Sequence, residues 1–162
     1  MEMTKAFSRN RLREVLLDEA TLPRVAPDED HERAVAIFDL VEENVFCPIG
    51  RDDGPFSLTI AQQESKLSFV VRNETGEVAA DFIVSMTPFR PLLKDYFLVC
   101  ETYYNAIRTA SPRQIEAIDR ERTALHDEGA NLIAARLADK VEIDMPTARR
   151  LFTLISALHW KA

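Results

Sequence analysis

Three runs of alternating apolar and polar residues in the middle of the chain constrain its fold more than any other feature. In the first run Phe56, Leu58 and Ile60 occupy every second position, and two similar runs follow. A period of two places one set of side chains on one face of a β-strand. Short polar segments at 62–66 and 73–76 separate the runs. The pattern therefore predicts a three-stranded antiparallel meander with tight turns.

Helical spacing dominates most of the remaining sequence. A helix is predicted to begin after Ala26 with an acidic first turn. Its buried stripe is expected at Ala34, Ile37, Phe38, Val41 and Val45.

Three further helices are predicted in the second half. One runs from between Thr87 and Pro91 to about Ala110 and is apolar around most of its circumference. Ser111 and Gln114 form a capping box for the next, in which Gly129 is expected either to permit close backbone approach or to end the helix and divide it. Asp144 is expected to cap the last helix.

Additional strands are predicted at 11–17 and, as a short one, at 140–144, with a loop at 47–55 between the first helix and the meander. Strands grouped before helices are typical of an α+β fold. We predict one globular domain over residues 1–162, with residues 1–10 as a flexible N-terminal tail. Its antiparallel sheet of four or five strands is expected to carry about four helices on one face.

Composition narrows the classes of function. The net charge of −7 disfavours general nucleic-acid binding, which needs a basic surface. The longest uncharged apolar stretch, 151–160, is too short to span a bilayer, and the first residues lack the apolar run of a secretory signal. We therefore expect a cytoplasmic protein without a membrane partner, with two reduced cysteines.

One polar cluster on the third predicted helix is a candidate site. Arg122 and His126 lie one turn apart beside the apolar stripe, with Asp119 and Glu128 close in sequence. In a functional interpretation His126 is an acid or base, Glu128 or Asp119 orients it, and Arg122 binds an anion. The favoured alternative is a structural ion pair that fixes the helix register.

The helix before it offers a second candidate. Lys94 and Glu101 lie two turns apart on its polar strip and would line a pocket wall, although a solvent-facing edge is the commoner arrangement. Tyr103 and Tyr104 on this helix, and Trp160 near the C-terminus, are candidates for an interface. Anchoring of the C-terminal segment is the favoured alternative for Trp160.

Motifs for common cofactors and metals are missing. The sequence contains no GxGxxG, GxxxxGK[ST] or GxSxG pattern. His31 and Glu32 would need a second histidine at position 35 to form a zinc-binding HExxH motif, and that residue is Val35. We expect no cofactor and no bound metal.

Several long strings resemble one known family. They include HERAVAIFDLVEEN from His31, MTPFRPLLKDYF from Met86, CETYYNAI from Cys100, RQIEAID from Arg113 and TARRLFTLISALHW from Thr147. The chain resembles an uncharacterised protein family of alphaproteobacteria, number 262 of the uncharacterised-protein-family series, over roughly residues 13–160. The resemblance implies a bacterial cytosolic protein and supplies no activity, substrate or site residue.

Two functional hypotheses follow. The first is a binding or regulatory protein without catalysis, with a homodimer or another protein as a possible partner through the tyrosine-rich helix. The second is a small enzyme or metabolite-binding protein with a pocket around Arg122, His126 and Glu128. Absence of catalytic motifs favours the first, and polar groups beside an apolar face favour the second.

Overall fold

The alternating runs form consecutive strands of a four-stranded sheet. The structure is a computed structural model, and it describes residues 9–159. The elements in chain order are β1 (Leu12–Leu17), α1 (Pro27–Glu42), β2 (Phe46–Pro48), β3 (Phe56–Gln63), β4 (Lys66–Arg72), β5 (Val78–Ser85), a short 3-10 turn (Thr87–Phe89), α2 (Arg90–Thr109), α3 (Pro112–Leu137), β6 (Val141–Ile143) and α4 (Met145–Leu158). The α+β class and the four predicted helices are confirmed.

Strands β3, β4 and β5 pair antiparallel in chain order. Ile60 of β3 lies opposite Phe69 of β4, which in turn lies opposite Phe82 of β5. All three side chains are buried and face the helices, as the period of two predicts.

The prediction of a wholly antiparallel sheet is wrong at β1. This strand pairs parallel with β3, with Leu17 opposite Ile60, so the sheet is mixed in the order β1-β3-β4-β5. Helix α1 lies between the two strands in sequence, and a helical crossover returns the chain to the same end of the sheet.

A second, two-stranded sheet joins β2 and β6. The short strand predicted at 140–144 is present, and its Glu142 pairs with Cys47 of β2. The sequence analysis assigned residues 47–55 to a loop and missed β2. Three residues are too few for a periodic pattern to be visible, so only pairing with β6 reveals the strand.

The predicted buried stripe of α1 is also wrong. Arg33, Ala36 and Leu40 are the buried residues, whereas Ala34 is exposed and Phe38 is 66% exposed. The predicted stripe members Ile37, Val41 and Val45 are only partly buried.

Polar contacts at both ends of α1 explain this orientation. The Arg33 guanidinium donates to the carbonyls of Pro23 (2.9 Å) and Leu158 (3.2 Å), so it compensates the C-terminal end of α4. The Asn44 amide accepts from Leu12 N at 2.7 Å and donates to Leu12 O at 3.1 Å. These buried groups need their partners, so they determine which face of α1 turns inward.

Helix α4 is the central element of the helical layer. Nine of its 14 residues are buried, and it packs between α1 and α3. Asp144 accepts from Thr147 N at 3.0 Å, which confirms the predicted cap. The Thr147 hydroxyl also accepts from Val45 N at 2.8 Å and so ties α4 to the segment before β2.

Helix α3 is continuous, so of the two roles predicted for Gly129 the break is wrong and the close backbone approach is confirmed. The Phe152 ring of α4 packs directly on the Gly129 backbone, and a Cβ built there would lie 2.3 Å from a ring carbon. Glycine is therefore required for close helix packing and not for a helix end. The capping box of Ser111 and Gln114 is present as predicted.

Within residues 9–159, no helix is both long enough and apolar enough to cross a membrane.

Candidate ligand-binding groove

A groove runs between α1 and α2, with α4 as its floor. We call it the α1–α2 groove. Its larger cavity has a volume of about 300 Å³, within the range of small-molecule sites. The lining side chains come from all four helices and comprise Glu32, Val35, Ala36, Asp39, Tyr96, Cys100, Tyr104, Arg122, Thr153, Ser156 and Ala157.

A second cavity of about 260 Å³ continues the groove toward the C-terminal end of α1. Ala36, Asp39 and Thr153 line both cavities, and Glu42 lies on the wall of the second one. The two cavities therefore form one elongated site that follows the axis of α1.

Helix α2 supplies one wall through residues spaced by one turn. Tyr96, Cys100 and Tyr104 fall at intervals of four and so share a face of the helix. The Tyr96 ring packs edge-on against Phe152 at 5.5 Å between centroids, which fixes its position. Tyr104 is 64% exposed and lies at the mouth of the groove.

The Tyr96 hydroxyl and the Cys100 thiol belong to residues one turn apart on the wall of the groove. Burial raises the pKa of Tyr96, and burial likewise raises the pKa of the Cys100 thiol, with the Glu32 charge adding to the effect on the thiol. Both groups are therefore neutral near pH 7. A thiol with a raised pKa is a weak nucleophile, so Cys100 contributes polar surface rather than reactivity.

Arg122 reaches the groove with its charge already compensated. Its guanidinium lies 2.5 Å from the Asp119 carboxylate and stacks over the Tyr103 ring at 4.1 Å from the centroid. The structure thus brings together three residues that the sequence analysis singled out. The stacked ion pair holds Arg122 in place and reduces its capacity to bind an anion.

His126 packs behind the groove wall. Its Nε2 lies 2.8 Å from the Thr153 hydroxyl, and its ring meets Phe152 edge-on at 5.2 Å. The Thr153 hydroxyl donates its only hydrogen to Arg149 O at 3.1 Å, so it accepts from His126 Nε2–H. Burial lowers the pKa of His126, with the charges of Arg149 and Arg122 acting in the same direction against Asp127.

The carboxylates proposed to orient His126 lie elsewhere. Asp119 is paired with Arg122, and Glu128 is exposed on α3 without a hydrogen bond to the His126 ring among residues 9–159. Within the part of the chain that the structure describes, the predicted histidine–carboxylate pair is not assembled.

The remaining candidates are dispersed. Lys94 and Glu101 are exposed on α2 and do not line the groove. Trp160 lies outside the described residues. No group of three or more His, Cys, Asp or Glu side chains within residues 9–159 is arranged to hold a metal ion.

The acidic wall of the groove was not predicted from the sequence. Glu32, Asp39 and Glu42 line it from α1, and none makes a hydrogen bond or ion pair within residues 9–159. Glu43 lies 3.9 Å from Arg150 at the far end. The spacing of 32, 39 and 42 places these carboxylates on one helix face, which was not recognised because the buried stripe was assigned to the wrong face.

A separate polar cluster joins the loop before β3 to the β4–β5 turn. Asp53 forms a 2.5 Å ion pair with Arg51 and accepts from the Asn73 amide at 2.8 Å. These hydrogen bonds, Arg51 first and Asn73 second, lower the pKa of Asp53 to about 2. The cluster is internally satisfied and stabilises the two loops.

Comparison with known proteins places this chain in a family. Residues 9–161 match the Uncharacterised protein family (UPF0262). The chain belongs to this family. A UPF0262 protein of Rhodopseudomonas palustris (strain TIE-1) is 54% identical over 154 residues, which cover 95% of this chain and 94% of the relative.

Other UPF0262 relatives have the same extent. The protein of Nitrobacter hamburgensis is 53% identical over 157 residues, covering 97% of this chain and 96% of its own length. The protein of Rhizobium leguminosarum bv. trifolii is 54% identical over 151 residues, covering 93% and 96%. No solved structure matches the chain. The family resemblance predicted from the sequence strings is confirmed.

Proposed function

We propose that this UPF0262 member is a cytoplasmic binding protein without catalytic activity, and that a small molecule occupies the α1–α2 groove. The proposal rests on the elongated cavity. On one wall the carboxylates of Glu32, Asp39 and Glu42 have no ionic partner within residues 9–159, and aromatic rings form the opposite wall. A groove of about 300 Å³ matches the size of small-molecule sites, and its polar groups are few and placed on rigid helices.

The chemistry of the walls supports binding rather than catalysis. Cys100 and Tyr96 are neutral because burial raises the pKa of each group, Arg122 is paired with Asp119, and His126 is engaged by Thr153 behind the wall. A catalytic site pairs a nucleophile or base with an orienting group. The groove instead offers charge, aromatic faces and shape, which are the requirements of recognition.

A thermal-shift screen with a groove-filling variant tests this function. Val35 is 45% exposed on the groove wall, so Val35→Trp fills the cavity from an exposed position. Ala34→Trp places the same side chain at the preceding residue of α1, which is exposed and lies outside the groove, and serves as the matched control. A ligand at about a hundred times its Kd stabilises the folded state by about 2.7 kcal/mol.

We expect at least one compound from a library of metabolites, nucleotides, amines and metal salts to raise the Tm of the wild type and of Ala34→Trp. The same compound should leave the Tm of Val35→Trp unchanged. A library without any stabilising compound, or a shift that Val35→Trp retains, contradicts a ligand site in the groove.

A second candidate function is assembly of two copies through the far part of α2. Between residues 101 and 124 only Ala106 is buried in the described structure, and Tyr104 and Ile107 are 64% and 50% exposed. The α2–α3 hairpin therefore carries apolar surface beyond the helical layer. Charges of both signs surround that surface, at Glu101 and Arg108, so it is complementary to a second copy turned end to end.

Light scattering after size exclusion tests this assembly. A dimer is expected for the wild type, and Tyr104→Asp or Ile107→Asp should shift it to the monomer because each buries a charge in the interface. Leu98→Asp, on the opposite side of α2, is the control and should leave the dimer intact. A wild-type protein that remains monomeric across the accessible concentrations contradicts the assembly.

A further inference from the structure

We infer that the ligand of the α1–α2 groove is a linear aliphatic amine with two or more ammonium groups. The inference rests on the proposed function, because it names the class of molecule that the same groove binds. It is carried by the unpaired carboxylates on one wall and the neutral aromatic wall opposite.

Negative charge in the groove exceeds positive charge. Glu32, Asp39 and Glu42 have no ionic partner within residues 9–159. The two cations that line the cavities each have one, since Arg122 is paired with Asp119 and Arg150 lies 3.9 Å from Glu43. These three residues are exposed on the groove wall, and carboxylates without ionic partners there favour a cationic occupant and repel an anionic one.

The carboxylates are spread along the groove and do not converge. Glu32 and Asp39 are seven residues apart, which is about 10 Å along the axis of α1 at ~1.5 Å per residue. A hard divalent cation needs several oxygen ligands around one point, and no group of three or more acidic, histidine or cysteine side chains within residues 9–159 is arranged in this way. A chain with separated ammonium groups can instead place one charge near each carboxylate.

The opposite wall can contact both the alkyl segments and the ammonium groups of such a ligand. Tyr96 and Tyr104 present ring surface, and Ala36 and Ala157 provide an apolar floor between the acidic positions. Aromatic faces attract ammonium groups, and methylene groups gain from contact with the apolar floor. The continuation of the groove toward Glu42 provides length for an extended molecule.

Calorimetric titration of the full chain with spermidine and putrescine tests the inference. Octane-1,8-diol is the neutral control for chain length, ethylamine is the single-charge control, and trilysine represents a basic peptide. All titrations are made at physiological salt, because a protein with net charge −7 attracts cations weakly and without specificity at low salt.

Two double variants separate specific from general attraction. Glu32→Gln with Asp39→Asn removes the charges of the groove wall. Glu19→Gln with Glu121→Gln removes the same charge from exposed positions outside the groove. We expect spermidine to bind the wild type and the control variant alike, and to lose at least about tenfold in affinity with the groove variant.

Three results would overturn the inference. The first is equal loss of spermidine affinity in both double variants, which indicates general charge attraction. The second is tighter binding of trilysine than of spermidine, which indicates a basic protein segment as occupant. The third is absence of spermidine binding while another compound stabilises the wild type and not Val35→Trp. In that third case the groove remains a ligand site, and only the ligand class is wrong.

Discussion

At the scale of single residues, a few buried polar side chains determine how the helices meet. Arg33 is 2% exposed, and its guanidinium donates to carbonyls at the end of α4. Asn44 is equally buried and bonds to both backbone groups of Leu12. A buried donor without an acceptor costs about 1–3 kcal/mol, so each of these residues has essentially one acceptable position.

Gly129 permits close contact of α3 and α4. We therefore expect Gly129→Ala to destabilise the protein, although helix propensity alone favours alanine. Replacing an exposed helical glycine with alanine stabilises a helix by about 1 kcal/mol. Here Gly129→Ala should lower the free energy of unfolding by about 1–3 kcal/mol, because the new Cβ overlaps the Phe152 ring. Urea unfolding measures the change.

A smaller side chain at position 152 provides the control. In a Phe152→Leu background the added Cβ has more room, so Gly129→Ala should be neutral or stabilising there. A stabilising effect of Gly129→Ala in the wild type would contradict the close contact.

The burial of His126 predicts a dependence of stability on pH. Burial lowers its folded pKa below the ordinary value of 6.5, so the unfolded chain binds the proton more readily. Stability is therefore full above pH 6.5 and falls as the pH drops toward the folded pKa. Urea midpoints at about pH 7.5 and about pH 5.5 should differ less in His126→Gln than in the wild type.

His159, whose pKa burial also lowers, remains in the variant and leaves part of the slope. An identical pH dependence in the wild type and His126→Gln would show that His126 does not contribute to it.

At the scale of elements, α1 illustrates how contacts override an apolar stripe. Its sequence has two candidate inward faces, and the one with more apolar residues is only partly buried, with Phe38 66% exposed. Leu40 and Ala36 face inward instead, because Arg33 on that face bonds to the end of α4. The acidic wall of the α1–α2 groove is a consequence of this orientation.

A pair of truncations checks the orientation of α1. Leu40→Ala should lower the free energy of unfolding by about 2–5 kcal/mol, since Leu40 is fully buried. Phe38→Ala removes a larger side chain but should cost less than about 0.5 kcal/mol, since Phe38 is 66% exposed. Chemical denaturation of both variants decides, and a larger cost for Phe38→Ala would reverse the assignment of the faces.

At the scale of the whole molecule, stability is unevenly distributed. Buried residues of β1, β3, β4, β5 and α4 belong to one hydrophobic cluster. The end of the α2–α3 hairpin lies outside this cluster, with only Ala106 buried between residues 101 and 124. Segments with few buried contacts open at a lower free energy than the core.

Hydrogen exchange measured by mass spectrometry should resolve this difference. Amides of α4 are expected to exchange last, through global unfolding, and those of 101–124 much earlier, through local opening. Dilution to the monomer is the control, because assembly through Tyr104 and Ile107 would protect the hairpin. Equal protection of the hairpin and α4 in the monomer would contradict the distribution of buried contacts.

The sequence by itself determined the elements whose signals are local. The alternation at 56–86, the capping box at Ser111 and the Asp144 cap each act within a few residues, so their spacing is sufficient to predict them. The sequence predicted that Arg122 lies close to Asp119. It did not predict the stacking of Arg122 on Tyr103, because Tyr103 comes from another helix.

Four features could not be predicted from local signals: the parallel pairing of β1, the β2–β6 pair, the inward face of α1 and the acidic wall of the groove. Each depends on contacts between residues far apart in sequence, such as Arg33 with Leu158 or Gly129 with Phe152. Local periodicity indicates which faces of an element are apolar. It does not indicate which neighbouring element each face packs against, because buried polar groups and close packing determine that.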